Sequence, residues 1–424
     1  MFCMSVEMRI NGSTGFDLDA FIRRHVTKRE RSLLADDLAR HDAELRARID
    51  GARVLVIGGA GSIGSYYIRA LLHFNPAKLV VVDVSENELT ELVRDLRSAG
   101  NYRMPEDFVT YPVNFADPVF KKLFRAHGPF DIVANFAAHK HVRSEKDVFS
   151  IEAMIENNVL RARGLLDLVC EAPPRHFFCV STDKAANPVN IMGASKKLME
   201  ELILAYADRL PVSTARFANV AFSNGSLPYG FLQRLRKRQP WACPLGIRRF
   251  FVSPGESGEL CLLASVIGKS GDIVFPKLDP VRDMVSFEQV ATDLLHELGM
   301  EPDRCESDDE AREKIKSLTG RDTGVSPAAK KWPVYFFESD TSGEKAFEEF
   351  YTPEETPDFG IFTNLGVVKN AKRRPLAEID AIFEELGRLF ASNDTSKEKI
   401  VAALKDYLPN FSHIEKGRGL DSKM

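Results

Sequence analysis

The sequence predicts an α/β protein built on a Rossmann-type parallel sheet with helices on both faces. Two observations predict this fold class. From residue 53 onward, short apolar runs alternate with amphipathic helical segments, which is the pattern of βαβ units. A glycine-rich turn joins the first of these runs to its helix. We also expect a smaller mixed C-terminal substrate-binding region and a helical N-terminal leader.

The order of these patterns divides the chain into regions. We predict a helical leader over residues 1–50, a Rossmann domain over 51–220, a less regular region over 221–368 and C-terminal helices over 369–424. Within the third region, the highly charged residues 301–333 are expected to form a surface insertion with a helix and a flexible loop. The strands are predicted at 54–58, 79–83, 131–138 and 176–182, and the principal helices at 62–74, 86–98, 151–170, 376–389 and 395–408, with another helix from about 192.

Composition excludes several classes of function. The chain has 424 residues and a formal net charge of −4, so it lacks the basic excess of a nucleic-acid-binding protein. The six cysteines are scattered without CxxC pairs or histidines at ligand spacing, so we expect reduced thiols and no metal. No apolar signal core or membrane-length apolar run is present, and we expect a cytoplasmic protein without a membrane segment.

The segment VLVIGGAGSIGS predicts a dinucleotide site. Gly58, Gly61 and Gly64 follow a strand and open a helix, where they permit a tight turn and close approach of the backbone to a pyrophosphate. The helix N-terminus would face that pyrophosphate. Asp83 ends the next predicted strand, where a carboxylate can bind both ribose hydroxyls and would repel a 2′-phosphate. This arrangement favours NAD over NADP.

This glycine spacing resembles that of the extended short-chain dehydrogenase/reductase superfamily. NFAAHKHV (135–142) fits the strand exit beneath the cofactor in that superfamily, and VNFADP (113–118) fits the segment beside the adenine. The cofactor-binding residues expected from the motif and the resemblance are Gly58, Gly61, Ser62, Ile63, Gly64, Asp83, Ser85, Asn114, Phe115, Ala137, Ala138, Lys140 and Lys196.

The segment CVSTDKAANPVNIMGASKKLME (179–200) predicts the catalytic site. A strand ends at Ser181 or Thr182, so Thr182, Asp183 and Lys184 arrive at the carboxyl edge of the sheet, where ligands of such sheets bind. The following helix places Met192 and Lys196 one turn apart on the same face. The alternative interpretation is a surface loop with solvated charges.

The pattern STDKAxNPxNxMGASK is similar to that of nucleotide-sugar 4,6-dehydratases of surface-polysaccharide synthesis, the group acting on UDP-N-acetylglucosamine. The blocks ARFANVAFSNGSLP (215–228) and SDTSGEKAFEEFYT (339–352) are also similar to blocks of that group. The resemblance spans roughly residues 50–295 and resumes at about 334–368. It implies tightly bound NAD, a nucleotide-sugar substrate (a UDP-sugar first), a homo-oligomer and a sugar-nucleotide-binding role for residues 221–368.

The chemistry implied by this resemblance is an internal redox dehydration. NAD takes a hydride from sugar C4, the C5 proton is removed, the C6 hydroxyl leaves, and the hydride returns to C6. Lys196 fits the group that holds the nicotinamide ribose, Thr182 fits a hydrogen-bond partner of the C4 hydroxyl, and Asp183 and Lys184 fit the acid and base. A carboxylic acid donates at neutral pH only if its pKa is raised, and a lysine acts as a base only if its pKa is lowered.

Met192 departs from the superfamily, which places a proton-accepting tyrosine four residues before the lysine. A methionine cannot accept the proton of the C4 hydroxyl. Either activity is lost, or the proton goes to Thr182, Asp183 or water, and Met192 packs against the sugar or the nicotinamide.

Substrate contacts are expected from the nucleotide blocks and from nearby arginines. Arg249 and Arg282 could clamp the diphosphate, because a guanidinium pairs with phosphate oxygens, although a solvated surface role is an equal alternative. The substrate-binding residues expected on these grounds are His141, Asn187, Arg216, Asn219, Ser223, Ser226, Arg249, Arg282 and Glu344.

Three functions remain open from the sequence. The first is the 4,6-dehydratase, and the second is an epimerase on the same scaffold that retains the C6 hydroxyl. The third is a catalytically silent NAD-binding protein, suggested by Met192. The joint presence of Asp183, Lys184 and Lys196 favours the first, because a silent scaffold has no chemical need for them.

Overall fold

The computed structural model describes residues 16–140, 145–319, 330–338, 348–369, 371–392 and 394–414. The strands are β1 Arg53–Ile57, β2 Lys78–Asp83, β3 Asp107–Pro112, β4 Ile132–Asn135, β5 His176–Val180, β6 Val212–Ala215, β7 Asn219–Val220, β8 Trp241–Leu245, β9 Arg248–Val252, β10 Asp272–Pro276, β11 Met284–Ser286, β12 Glu301–Cys305, β13 Lys331–Glu338, β14 Pro357–Asp358 and β15 Leu365–Val368.

Helices lie between and around these strands. The α-helices are α1 Leu18–Phe21, α2 Ala35–Ile49, α3 Ser62–Leu71, α4 Glu86–Ser98, α5 Pro118–His127, α6 Val148–Ile155, α7 Arg161–Val169, α8 Ile191–Ala205, α9 Leu227–Arg236, α10 Pro254–Val266, α11 Phe287–Glu297, α12 Asp308–Thr319, α13 Leu376–Phe390 and α14 Lys397–Tyr407. A π-helical turn, Ile22–Thr27, continues α1, and another, Glu156–Leu160, joins α6 to α7. The helix predicted at 151–170 is therefore a segmented one.

Nine strands form the main sheet, in the order β14-β15-β10-β6-β5-β4-β1-β2-β3. The seven strands from β10 to β3 run parallel, while β15 and β14 run antiparallel at one edge. The strand order reverses between β1 and β4, and sheets of this class bind ligands in the crevice at the carboxyl ends of the strands there. The predicted Rossmann-type α/β fold is confirmed.

Both faces of the sheet are covered, as its apolar strands require. Along β1, Val54 and Val56 belong to the buried cluster on one face, whereas Leu55 and Ile57 belong to the cluster on the other. Successive side chains of a strand point to opposite faces, so a strand buried on both sides has a continuous apolar sequence.

The N-terminal leader packs on the rest of the chain. Phe21 of α1 is fully buried and packs edge-on against Phe222, within the core of the region predicted over residues 221–368. Leu45 and Ile49 of α2 join the cluster on one face of the main sheet. The leader thus packs on the main sheet through α2 and on the region over residues 221–368 through α1.

The region predicted over residues 221–368 is built, together with β7, on two small sheets, and part of it returns to the main sheet. The small sheets have the orders β11-β9-β7 and β12-β13-β8, while β10, β14 and β15 complete the large one. The helix expected within residues 301–333 is present as α12, but the segment is more than a surface insertion, because β12 pairs in register with β13 and Trp332 is buried. Residues 320–329 lie outside the described residues, so the expected flexible loop stays a prediction.

The C-terminal helices form a pair against α8. Ile382 and Leu386 of α13, with Ile400 and Leu404 of α14, share a buried apolar cluster with the start of α8. Within the described ranges, no helix is long and apolar enough to cross a membrane.

Candidate active site

The glycine turn after β1 forms a cradle at the switch point of the sheet. Gly58 has φ +73°, and a Cβ there would lie 2.6 Å from the backbone nitrogen of Ala137, so only glycine fits. A Cβ on Gly64 would lie 2.3 Å from the carbonyl oxygen of Gly58, which lets α3 pack onto the turn. Gly61 begins α3 without a side-chain cap, so the first N–H groups of this helix suit a pyrophosphate.

Asp83 closes the cradle from the end of β2. Its Oδ2 accepts a hydrogen bond from Ala60 N at 3.0 Å, and its Oδ1 accepts one from Ser85 N at 3.1 Å. Each carboxylate oxygen keeps a second lone pair for a ribose hydroxyl. The residues present therefore fit a dinucleotide.

The other residues predicted to bind the cofactor occupy varied positions. Ser62 Oγ accepts from Asn224 N at 3.0 Å, which joins the glycine turn to the loop after β7. Phe115 is buried, Lys140 is exposed, and partial burial is shared by Ile63, Ala137 and Ala138. Asn114 Oδ1 accepts a hydrogen bond from Ala116 N. Ser85 caps the N-terminus of α4.

The end of β5 carries a hydrogen-bonded set of three side chains. Thr182 Oγ1 donates to Asp183 Oδ1 at 2.9 Å, and Lys184 Nζ donates to the same oxygen at 3.0 Å. Asp183 is 3% exposed. Beyond it, Glu348 Oε1 lies 3.7 Å from Lys184 Nζ. The structure thus brings together the three residues that the sequence predicted to act on the sugar.

The neighbouring carboxylates favour the charged form of Lys184. Burial lowers the pKa of Lys184, but the carboxylates of Asp183 and Glu348 outweigh burial and hold the pKa above its usual value. The charge of Arg249 acts in the same direction as burial. The lowered pKa that a lysine base requires is therefore not present in this structure, where the carboxylates of Asp183 and Glu348 favour the ammonium form of Lys184.

Lys196 is buried beneath the same strand end. Its Nζ donates to the carbonyl oxygen of Val180 at 3.1 Å, and burial lowers its pKa. Met192, one turn earlier on α8, is 3% exposed and belongs to the apolar cluster shared with α13 and α14. Its side chain therefore packs in a core between helices. A further contact of Met192 with the sugar or the nicotinamide stays a prediction.

Arg216 lies in a saturated buried cluster. Its guanidinium donates to both oxygens of Glu200 at 2.9 and 2.8 Å, to both oxygens of Glu355 at 2.6 and 2.8 Å, and to the carbonyl of Phe350 at 2.9 Å. Ser181 also donates to Glu200, at 2.6 Å. Because Arg216 is fully buried and engaged with these partners, the structure contradicts direct substrate binding and assigns it to the framework behind β5.

The remaining predicted substrate contacts are dispersed. Asn187 Nδ2 donates to Glu349 Oε2 at 2.8 Å, which ties the active-site loop to the segment after the GEK block. Arg282 is 76% exposed and pairs with its neighbour Asp283. Asn219 lies in β7, and Arg249 is buried in β9. Ser223 is partly buried, and Ser226 caps the N-terminus of α9. His141 and Glu344 lie outside the described residues.

Sequence reasoning missed several groups that build the site. Glu348 lies in the EEF motif at 348–350, which is part of the similar block 339–352 and was the signal for it. Glu355 lies just beyond that block and had no such signal. Asn158 bridges two elements, because its Nδ2 donates to the carbonyl of His139 and to Ser195 Oγ. Nothing in the sequence marked Asn158, since its partners lie far from it along the chain.

Comparison with known proteins identifies the family of the chain. The family model described as "Polysaccharide biosynthesis protein" matches residues 54–355. The chain belongs to this family. The resemblance drawn from the STDK segment and its companion blocks is thereby confirmed as a family relationship.

Curated relatives of the family carry several descriptions. "Uncharacterized membrane protein MJ1061" of Methanocaldococcus jannaschii is 30% identical over 76% of this chain and 88% of its own length. "Probable polysaccharide biosynthesis protein EpsC" of Bacillus subtilis is 25% identical over 85% of this chain, which spans only 56% of that relative. A "UDP-N-acetylglucosamine 4,6-dehydratase (inverting)" of Campylobacter jejuni is 26% identical over 59% of this chain and 74% of its length. Relatives from Rickettsia named UDP-glucose 4-epimerase match 53% of the chain at 28 to 29% identity and 65% of their own length.

Solved structures confirm the fold independently. The X-ray structure of Pen from Bacillus thuringiensis has a TM-score of 0.60 at 18% identity, and the alignment covers 80% of this chain and 99% of Pen. At this identity, the likeness concerns the fold.

Proposed function

We propose that the protein dehydrates a nucleotide-activated sugar, with UDP-N-acetylglucosamine as the first candidate, to a 4-keto-6-deoxy sugar for glycan synthesis. The observation that carries this proposal is the set Thr182–Asp183–Lys184, hydrogen-bonded at 2.9 and 3.0 Å at the carboxyl end of β5. Removal of water from neighbouring carbons needs an acid and a base side by side, and this set provides both.

The cradle formed by the glycine turn and Asp83 supports NAD as the cofactor, since the carboxylate would repel the 2′-phosphate of NADP. NAD bound there would supply a hydride acceptor for sugar C4 and a hydride donor for C6. Lys196 Nζ is held at the carbonyl oxygen of Val180, at the end of β5, and would bind the nicotinamide ribose. Because the cofactor ends each cycle unchanged, we expect it to stay bound through turnover.

Thr182 and Asp183 take the place of the missing tyrosine in the first proton transfer. The Thr182 hydroxyl already donates to Asp183 Oδ1. It can therefore accept the proton of the sugar C4 hydroxyl while passing its own proton to the carboxylate. The C4 carbon loses a hydride, the C4 oxygen loses a proton, and Asp183 becomes a neutral acid.

Neutralisation of Asp183 converts Lys184 from an ammonium into a base. The proton on Asp183 removes one of the two charges that raise the pKa of Lys184, while burial and Arg249 still lower it. Lys184 then releases a proton to solvent and accepts the C5 proton, and Asp183 gives its proton to the departing C6 hydroxyl, which leaves as water. C6 receives the hydride, C5 regains a proton from Lys184, and solvent restores the ion pair.

The mass of the product tests this proposal. Purified protein incubated with UDP-N-acetylglucosamine and no added cofactor should release a product lighter by one water, and NAD should co-purify. Lys196→Ala should weaken both cofactor retention and turnover. Absence of any mass change with a panel of UDP- and GDP-sugars would contradict the proposal.

An epimerase is the second candidate, because the Rickettsia relatives carry that name. It would retain the C6 hydroxyl, so the substrate and product would have equal mass. A product of equal mass without solvent deuterium would indicate C4 epimerisation, whereas uptake of solvent deuterium without loss of water would indicate C5 epimerisation.

A further inference from the structure

The chain that follows α14 crosses the active-site loop. We call residues 411–414 the strap and residues 187–190 the active-site loop. Within the strap, Ser412 N donates to the carbonyl of Pro188 at 3.1 Å, and Ile414 N donates to that of Val189 at 3.0 Å. Phe411 is 3% exposed and anchors the strap in the apolar cluster of α8, α13 and α14. The loop is therefore held on one side by a segment more than 200 positions away in the chain.

A buried side-chain contact reinforces these backbone bonds. His413 lies between the two donating residues and turns inward, so that its Nε2 is 3.5 Å from Glu145 Oε2, and both side chains are 8% exposed. The other oxygen of Glu145 accepts from Met192 N at 3.0 Å, in the first turn of α8. A carboxylate at a helix N-terminus is favourable because it compensates the free N–H groups. Glu145 thus joins the strap to the start of α8.

The start of α8 touches the catalytic turn directly. A Cβ on Gly193 would lie 2.7 Å from the carbonyl oxygen of Lys184, so the two backbones are in close contact there. A displacement of the loop or of the first turn of α8 would move Lys184 and, with it, its hydrogen bond to Asp183. Acid–base groups lose rate steeply when they move out of alignment.

We propose that Glu145 and His413 are positioning residues, which act with the strap to fix the active-site loop and so align Asp183 and Lys184. The inference rests on the dehydration proposed above. Neither side chain touches the reacting atoms in this account.

A pair of substitutions at Ser412 in the full-length chain tests the strap. Ser412→Pro removes the N–H that bonds Pro188, whereas Ser412→Ala keeps it and serves as the matched control. We expect the proline variant to lose about 10- to 100-fold in kcat while its NAD content stays at the wild-type value. The alanine variant should retain wild-type kcat. Equal kcat in both variants would overturn the proposal, and so would a parallel loss of NAD content and thermal stability, which would indicate a general folding role.

Glu145→Gln tests the side-chain contact separately, because glutamine can still accept from Met192 N while its charge is lost. We expect a lower kcat with unchanged NAD content, and an unchanged kcat would remove Glu145 and His413 from the proposal. Amide hydrogen exchange of residues 187–190 gives a readout that needs no turnover. It should be faster in Ser412→Pro than in Ser412→Ala even if no sugar nucleotide is dehydrated, and equal exchange would overturn the strap's role whatever the reaction is.

Discussion

Two buried charge clusters lie close together along β5 and α8, and they differ in how fully their charges are bonded. In the framework cluster, Arg216 makes five hydrogen bonds to Glu200, Glu355 and a carbonyl, none longer than 2.9 Å. In the catalytic cluster, Lys184 Nζ makes one side-chain hydrogen bond among the described residues, to Asp183, and faces Glu348 at 3.7 Å. We infer that the saturated cluster fixes the structure, whereas the less fully bonded cluster is the one suited to proton transfer.

The largest expected effect is a loss of dehydration rate when the catalytic cluster is changed. Asp183→Asn keeps the shape but removes the group that takes and returns a proton. Dehydration should fall about 100- to 10,000-fold, with NAD content unchanged. Product formation in single-turnover assays measures this effect, and Asp208→Asn, at a side chain that is 89% exposed, is the control. Wild-type turnover in the Asp183 variant would place the chemistry elsewhere.

Breaking the saturated cluster should affect folding. Arg216→Met leaves Glu200, which is fully buried, without its guanidinium partner. We expect the free energy of unfolding to fall by about 3–5 kcal/mol, measured by denaturant titration. Arg282→Met, at an exposed arginine, should change it by less than about 0.5 kcal/mol. Equal stabilities of the two variants would show that Arg216 is not a structural anchor.

The comparison also shows what the sequence could and could not reveal. The local sequence predicted the glycine turn, the position of Asp83 and the strand end at Thr182. Turns and strands depend on nearby residues, and parallel strands bring their carboxyl ends to the same edge of the sheet. The partners of Arg216 were not, because Glu200 and Glu355 reach it only through tertiary packing. For the same reason the raised pKa of Lys184 was missed, since Glu348 lies far along the chain and its charge adds to that of Asp183.

Met192 offers a test of whether the tyrosine of the superfamily could simply be restored. Its side chain belongs to an apolar cluster between helices, so Met192→Tyr would force a larger, polar group into that core. We expect a loss of about 1–3 kcal/mol in unfolding free energy and no gain in turnover. Met192→Leu, which conserves volume, is the control. A tyrosine variant with higher activity would show that this position faces the sugar.

The smallest effect should appear as a pH dependence of stability. Burial raises the pKa of Glu200, but Arg216 outweighs burial and holds the pKa below its usual value of 4.5. Such a group stabilises the fold above its unfolded pKa, and this contribution is lost as the pH falls through the folded value. Unfolding free energy should therefore decline in acid, and the decline should be shallower in Glu200→Gln. Identical slopes in the two proteins would contradict the assignment of Glu200 to this ion pair.

In the proposed reaction, a hydride leaves sugar C4 and returns to C6 of the same molecule while water is lost. UDP-N-acetylglucosamine carrying deuterium at C4 makes this transfer visible by mass spectrometry and NMR of the product. We expect a product lighter by one water, with the deuterium at C6. A product of unchanged mass with the deuterium back at C4 would contradict dehydration and identify an epimerase.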